Sequence, residues 1–171
     1  MANEKFESTV AVLQGVSAKL EGSILTISGK NGSVQKKFYA LGLNLEVGSS
    51  DIKITACSLM QLNTAIAHVK NMLLGATEGF SKKMTTIYSH FPIALEVKGR
   101  TLVIKNFIGE KKPRLANIIG QTKIQLAGKE IIVSGPDKEN VMQTVANIRC
   151  ATHIRARDSR IFQDGLYPVE A

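Results

Sequence analysis

The chain has no tryptophan, and aromatic residues make up only 5% of its 171 positions. That scarcity argues against an exposed stacking platform, which needs several rings on one face to hold successive bases. The two cysteines, Cys57 and Cys150, stand far apart in no metal-ligand spacing. They exclude a disulfide-dense secreted scaffold and a zinc module. One bridge remains open beside the expected state, two buried thiols in a reducing compartment. No apolar run reaches the roughly 18 residues of a membrane-spanning helix. The opening Met-Ala-Asn-Glu-Lys-Phe-Glu carries acids and lacks the apolar core of a secretory signal, so the expected address is intracellular.

Catalytic signatures are missing as well. There is no Gly-x-Gly-x-x-Gly or Walker-type glycine loop for a nucleotide cofactor, and no Gly-x-Ser-x-Gly nucleophile elbow. The three histidines (His68, His90 and His153) have no partner at ligand spacing. His68 falls off the apolar stripe of its helix and is expected at a rim, while His90 beside Phe91-Pro92 is expected to be structural. No catalytic residue, metal ligand or cofactor is assigned.

What is present is charge of one sign. Net charge is +8 and the isoelectric point about 9.6, which favours a polyanionic partner. Residues 1–80 hold seven Lys and Arg against six Asp and Glu, a net of +1. Residues 81–171 hold fifteen against eight, a net of +7. All six arginines (Arg100, Arg114, Arg149, Arg155, Arg157 and Arg160) lie in that second part. Their planar forks suit bidentate phosphate contacts better than lysine ammonium groups do. With 44% hydrophobic and 21% charged residues the chain is globular. No RNP aromatic motif, KH loop, helix-turn-helix or zinc finger is visible. Phosphate and shape recognition of folded RNA is therefore the better physical fit.

Periodicity supplies the architecture. Residues 16–21 alternate apolar and polar, Gly22-Ser23 turns, and Ile24–Ser28 returns, the pattern of a hairpin. Gly29–Gly32 is a second turn, Val34–Phe38 a third strand, 41–50 a loop and Asp51–Thr55 a further strand. A helix follows, with Ser58 and Gln61 spaced as a capping box and Leu59, Leu62, Ile66, Val69 and Leu73 on one face. Gly75 and Gly79 are candidate stops. The second part repeats the plan: strands at Ile93–Lys98 and Thr101–Lys105, a charged loop, Arg114–Ile119, Lys123–Ala127 and Glu130–Ser134. A helix then starts near Asp137, with Val141, Val145, Ile148 and Thr152 on its apolar side.

An offset of 77 superimposes Gly22 on Gly99, Leu25 on Leu102, Ile27 on Ile104 and Gly32 on Gly109. An offset of 79 superimposes Ile52 on Ile131, Ile54 on Val133, Ser58 on Asp137 and Val69 on Ile148. Shared turns, strand pattern and caps point to a duplication. The expected fold is α+β: two tandem repeats, each a small mostly antiparallel sheet packed with one long helix. The expected domains are residues 1–80 and 81–171, joined near Phe80-Ser81-Lys82.

Within that plan, Asn106-Phe-Ile-Gly-Glu-Lys-Lys-Pro-Arg114 occupies the place of the first repeat's Gly29–Gly32 turn, lengthened and loaded with cations. Gly109 opens torsions closed to other residues and Pro113 fixes φ, so the loop is stiff and solvated. A phosphate-binding surface and an ordinary solvated hairpin both fit that description. A second basic segment, Arg155–Arg160, precedes Ile161-Phe-Gln-Asp-Gly-Leu-Tyr-Pro168, an extended tail ordered either on its own domain or by a partner.

The tandem repeat, the 106–114 loop and the 161–167 tail together resemble the ribosomal large-subunit protein L-six family, in its archaeal and eukaryotic branch. Thr77–Phe80, Tyr88–Ile93 and Val141–Ile148 carry the resemblance further, so that it covers essentially the whole chain. The lysine- and glycine-rich C-terminal motif of the bacterial branch is missing. The resemblance implies a structural, non-enzymatic constituent of the large ribosomal subunit, cytoplasmic and without a membrane partner. It implies binding to large-subunit rRNA mainly through the second domain, near the sarcin–ricin loop and the translation-factor site, beside neighbouring ribosomal proteins. By position, Lys105, Lys111, Lys112 and Arg114 would meet rRNA phosphates, with Asn106 in the same loop. Gly109 and Pro113 would shape that loop, and Glu110 would orient a neighbouring cation. Arg155, Arg157 and Arg160 would form a second patch, with Phe162, Gln163 and Tyr167 anchoring the tail; Phe162 equally suits packing within its own domain. The first-repeat turn departs from the Gly-Pro-Lys-Gly of many relatives, and Lys70 is the only cation from 58 to 77. The first domain therefore points toward protein contacts at least as much as toward RNA. A non-ribosomal assembly factor or chaperone on the same fold, and an RNA-modifying enzyme, are the other readings.

Overall fold

The computed structural model describes residues 5–39, 42–48, 50–88, 91–155, 157–158 and 160–169; His90 lies outside this set. The chain forms two compact units, Met1–Gly79 with Pro136–Lys138, and Phe80–Gly135 with Glu139–Ala171. The fold is α+β with antiparallel strand pairing, as the periodicity predicts, but each unit divides its strands between two small sheets.

In the first unit, β2 (Ser17–Glu21), β3 (Ile24–Gly29) and β4 (Gly32–Lys37) form a meander of sheet order β2-β3-β4. Gly22, at φ 61°, makes the first turn, a conformation that costs an ordinary L-residue about 1–2 kcal/mol. The second sheet is β1 (Phe6–Ala11), β6 (Asp51–Ala56) and β5 (Asn44–Val47), with β6 central. Helix α1 (Leu59–Thr77) packs on β1, β6, β3 and β4. Leu25, Ile27, Ile52, Ile54, Val69 and Ala76 are fully buried between them.

The second unit repeats this. Strands β8 (Ala94–Lys98), β9 (Thr101–Lys105) and β10 (Arg114–Asn117) form one sheet with β9 central. Strands β11 (Lys123–Ala127), β12 (Glu130–Gly135), β7 (Phe80–Ile87) and β13 (Gly165–Pro168) form the other, in the order β11-β12-β7-β13. Helix α2 (Lys138–Ala151) buries Val141, Thr144, Val145 and Ile148, and Thr152 just beyond it is 1% exposed. The superimposed pairs occupy equivalent environments. Leu25 and Leu102, Ile27 and Ile104, Ile52 and Ile131, Ile54 and Val133, and Val69 and Ile148 are all fully buried.

Several expectations change. Phe80, at the boundary between the two units, opens an unexpected eight-residue strand, β7, hydrogen-bonded on both sides to β12 and β13. Its counterpart β1 and the short β5, inside the expected 41–50 loop, are also strands. All three are stabilised by long-range ladders rather than by strong local pattern. Ser58 is the N-cap of α1 by backbone geometry, but its side chain makes no cap bond, so the capping box is not formed. Leu59 is 55% exposed; Ala65, Met72 and Ala76 complete the buried stripe instead. The helix also runs past Gly75 and stops at Gly79, whose φ of 78° and N–H bond to the Leu74 carbonyl close it. Cys57 and Cys150 are free thiols but exposed, not buried. No described helix is long and apolar enough to cross a membrane.

Candidate nucleic-acid interface

The 106–114 loop starts where β9 ends. Asn106 takes the left-handed conformation, φ 58°, and its side-chain amide donates to the Pro92 carbonyl at 3.0 Å. A short 3-10 turn, Phe107–Gly109, follows, and inside it Ile108 is also left-handed at φ 51°. That conformation is costly for a β-branched residue and persists only where the surroundings impose it. Here they do: Phe107 is 1% exposed and anchors the turn in the core of its unit. Gly109, at φ 72°, lies against the Phe91 ring, where a Cβ would approach within 3.3 Å.

Arg114, at the start of β10, closes the loop. Its Nε donates to Glu110 Oε2 at 2.9 Å and its Nη2 to Glu110 Oε1 at 2.6 Å, a bidentate fork. Its Nη1 donates to the carbonyls of Ala151 and His153, both at 3.0 Å. Ala151 is the last residue of α2, so the guanidinium satisfies acceptors that a helix end leaves open and meets the negative end of its dipole. The guanidinium also lies 4.4 Å from the centre of the Phe107 ring. The hydrogen bond from Arg114 holds the Glu110 carboxyl below the usual carboxylate range; partial burial opposes this, and the charges of Arg114 and Arg157 add to it. Arg114 is thus committed inward as a clamp, and Glu110 orients it. Lys111 and Lys112, between the two, are exposed and have no hydrogen bond or ion pair among the described residues.

The same clamp carries the loop to the second basic segment. Arg155 and Arg114 line one open cleft of about 440 Å³ with Leu115, Cys150, Ala151 and His153. Arg157 stacks 4.8 Å from the Phe162 ring, and its charge reaches Glu110. Lys111, Lys112, Arg155 and Arg157 therefore belong to one cationic region built around Arg114.

The remaining predicted residues have other engagements. Lys105 pairs with Glu96 at 2.6 Å, and that hydrogen bond is the main reason the Glu96 carboxyl sits below its usual range. Arg160 is 90% exposed but forked onto Asp158, with contacts of 3.2 and 3.3 Å. Pro113 is exposed and leads into β10. The tail docks on its own unit: β13 pairs with β7, Leu166 is fully buried, and its N–H reaches Thr152 Oγ1 at 3.2 Å. Gln163 Nε2 donates to the Arg160 carbonyl at 3.4 Å, and the Tyr167 hydroxyl donates to the Gln163 carbonyl at 3.1 Å. Arg149, in the last turn of α2, lies 4.2 Å from the Tyr167 ring.

Sequence reasoning did not single out Arg149, Phe107 or His153 as parts of this region. Only the position of Arg149 in a helix's last turn was a usable local signal. Among the described residues no group of three or more His, Cys, Asp or Glu could hold a metal ion.

A family model described as Ribosomal protein L6 matches residues 91–165, the stretch that contains the loop, the clamp and most of the tail. The chain is 44% identical over 167 residues to large ribosomal subunit protein uL6 of Methanosarcina mazei, covering 95% of each chain. It is 41% identical over 168 residues to the protein of the same name from Methanospirillum hungatei, covering 95% of this chain and 96% of the relative. It is 38% identical over 168 residues to that of Ignicoccus hospitalis, covering 92% and 90%. These relatives carry the names of ribosomal proteins, not of enzymes, and at such identity over nearly full length this chain belongs to the ribosomal protein L6 family.

Proposed function

We propose that this chain is a structural constituent of the large ribosomal subunit, in the cytoplasm, and binds large-subunit rRNA mainly through its second domain, residues 81–171. The first domain is residues 1–80. The single observation that supports the RNA-binding reading most is the pair Lys111 and Lys112, exposed and uncommitted, held by the Arg114–Glu110 clamp beside Arg155 and Arg157. A loop fixed before binding loses little further entropy when a phosphate backbone arrives. Phosphate neutralisation, not base stacking, is the mode such a surface favours. Arg114 acts as the residue that positions the two lysines, while Lys105 and Arg160 exchange an internal carboxylate for phosphate. The location near the sarcin–ricin loop and the translation-factor site follows from the family resemblance, with ribosomal proteins as neighbours.

The test is the salt dependence of binding to large-subunit rRNA. With about 5–7 phosphates neutralised, log K falls with log salt at a slope of roughly −4 to −6. Lys111→Ala with Lys112→Ala flattens the slope by about 1.5, since each phosphate contributes about 0.7–0.9. An unchanged slope would mean the loop is only a solvated hairpin. Retention of the chain in salt-washed large subunits checks the ribosomal assignment separately.

A further inference from the structure

In the first unit, a cleft of about 280 Å³ opens between the end of β4 and the first half of α1. Tyr39 and Met60 stand on it, 75% and 74% exposed, the two most exposed large hydrophobic residues among those described. Its floor is Phe38, Leu43 and Ala65, which also pack on the core. Gln61 lines it too, and its Oε1 is buried without a hydrogen-bond partner among the described residues.

We propose that this cleft docks an acidic segment of a neighbouring protein, with one apolar side chain seated on the floor. The charge of the lining selects the sign: Lys36, Lys37 and His68 border the cleft, and among the described residues no Asp or Glu does. Lys36 Nζ lies 3.1 Å from His68 Nδ1, which brings the two groups together at the rim of the cleft. The aliphatic lining selects protein over RNA. Met60, Leu43 and Ala65 suit an apolar side chain, and the one exposed ring, Tyr39, already has Lys37 Nζ 4.5 Å from its centre. Residues 1–80, at a net +1, also lack the excess charge that draws a phosphate backbone.

The experiment places p-benzoylphenylalanine at position 60 of the full chain in cells, irradiates, and reads adducts by mass spectrometry in the ribosomal and free fractions alike. The expected result is an adduct to one protein segment of net negative charge, at or beside an apolar residue. Lys36→Glu with Lys37→Glu should lower its yield about tenfold, since two attractions become repulsions. Lys37→Glu alone, at an exposed position, should lower it too and covers the case in which the double variant does not fold. The same probe at Asn63, an exposed residue of α1 outside the lining, should not form this adduct. Adducts to rRNA, no adduct in either fraction, or indifference to the lysine reversals would each overturn the proposal. The sedimentation of the chain reports on the ribosomal assignment independently, so the two failures are distinguishable.

Discussion

The two repeats solve one problem with different residues, and the contrast shows how a plain turn becomes a long charged loop. In the first repeat, β3 and β4 are joined by Lys30-Asn31, and the turn rests on the end of its helix. The Asn31 backbone N–H donates to the Ala76 carbonyl at 3.2 Å, and its side chain donates to the Thr77 carbonyl at 2.8 Å. In the second repeat, β9 and β10 are joined by the longer loop, and Arg114 donates to the Ala151 and His153 carbonyls at the end of α2. Both loops satisfy carbonyls at a helix C-terminus. The first uses a neutral amide on a tight turn. The second uses a guanidinium with donors left over for Glu110, and so can carry a lengthened segment with two exposed lysines. Lengthening added charge only because a clamp was added with it.

The largest test of this contrast is Phe107→Ala. Phe107 is buried in the second unit, so its loss should lower stability by about 3–5 kcal/mol in urea unfolding. The same variant should weaken RNA binding by releasing the loop. Arg114→Ala comes next, with a loss of about 1.5–3 kcal/mol from charge-assisted bonds. Arg114→Lys is the sharper variant, since it keeps the charge but not the fork. It should lower stability and affinity while leaving the salt slope of RNA binding unchanged, whereas a slope that flattens in Arg114→Ala would mark a direct phosphate contact. Asn31→Ala, the matching change in the first repeat, should cost about 0.5–1.5 kcal/mol and leave RNA affinity alone. A small pH effect distinguishes the repeats as well. The Glu110 carboxyl is held below its ordinary value, so its stabilising contribution is complete above that value and is lost as pH falls through the lowered one. The urea midpoint should therefore fall less steeply below about pH 4.3 in Glu110→Gln than in the unaltered chain. Equal acid sensitivity in both would sink the clamp's electrostatic role.

Much of this was legible in the residues. The hairpins announced themselves through Gly22 and Gly99, the helices through their apolar spacing, and the duplication through pairs such as Leu25 with Leu102. The three strands that went unread, β1, β5 and β7, hold their place through partners far along the chain. Their own residues, such as Ser81-Lys-Lys-Met-Thr-Thr86, alternate too weakly to declare it. The capping box at Ser58 and Gln61 was legible and yet not formed: the Ser58 side chain makes no cap bond, and Gln61 lines the cleft beside α1. The basic loop and the arginine segment were each visible as charge, but not as one region.

By itself the sequence determined the α+β class, the repeat, the asymmetry of charge and, through the family match, the kind of protein this is. Those properties reside in local pattern and composition, which a linear chain displays directly. Only the tertiary structure decided which cations are free. Arg114 and Lys111 are three positions apart and carry the same charge, yet one is committed to Glu110 and the end of α2 while the other faces solvent. Such a choice depends on which carbonyls and carboxylates folding brings within hydrogen-bond reach. Ala151 and His153 lie 37 and 39 positions beyond Arg114, and no local pattern announces them.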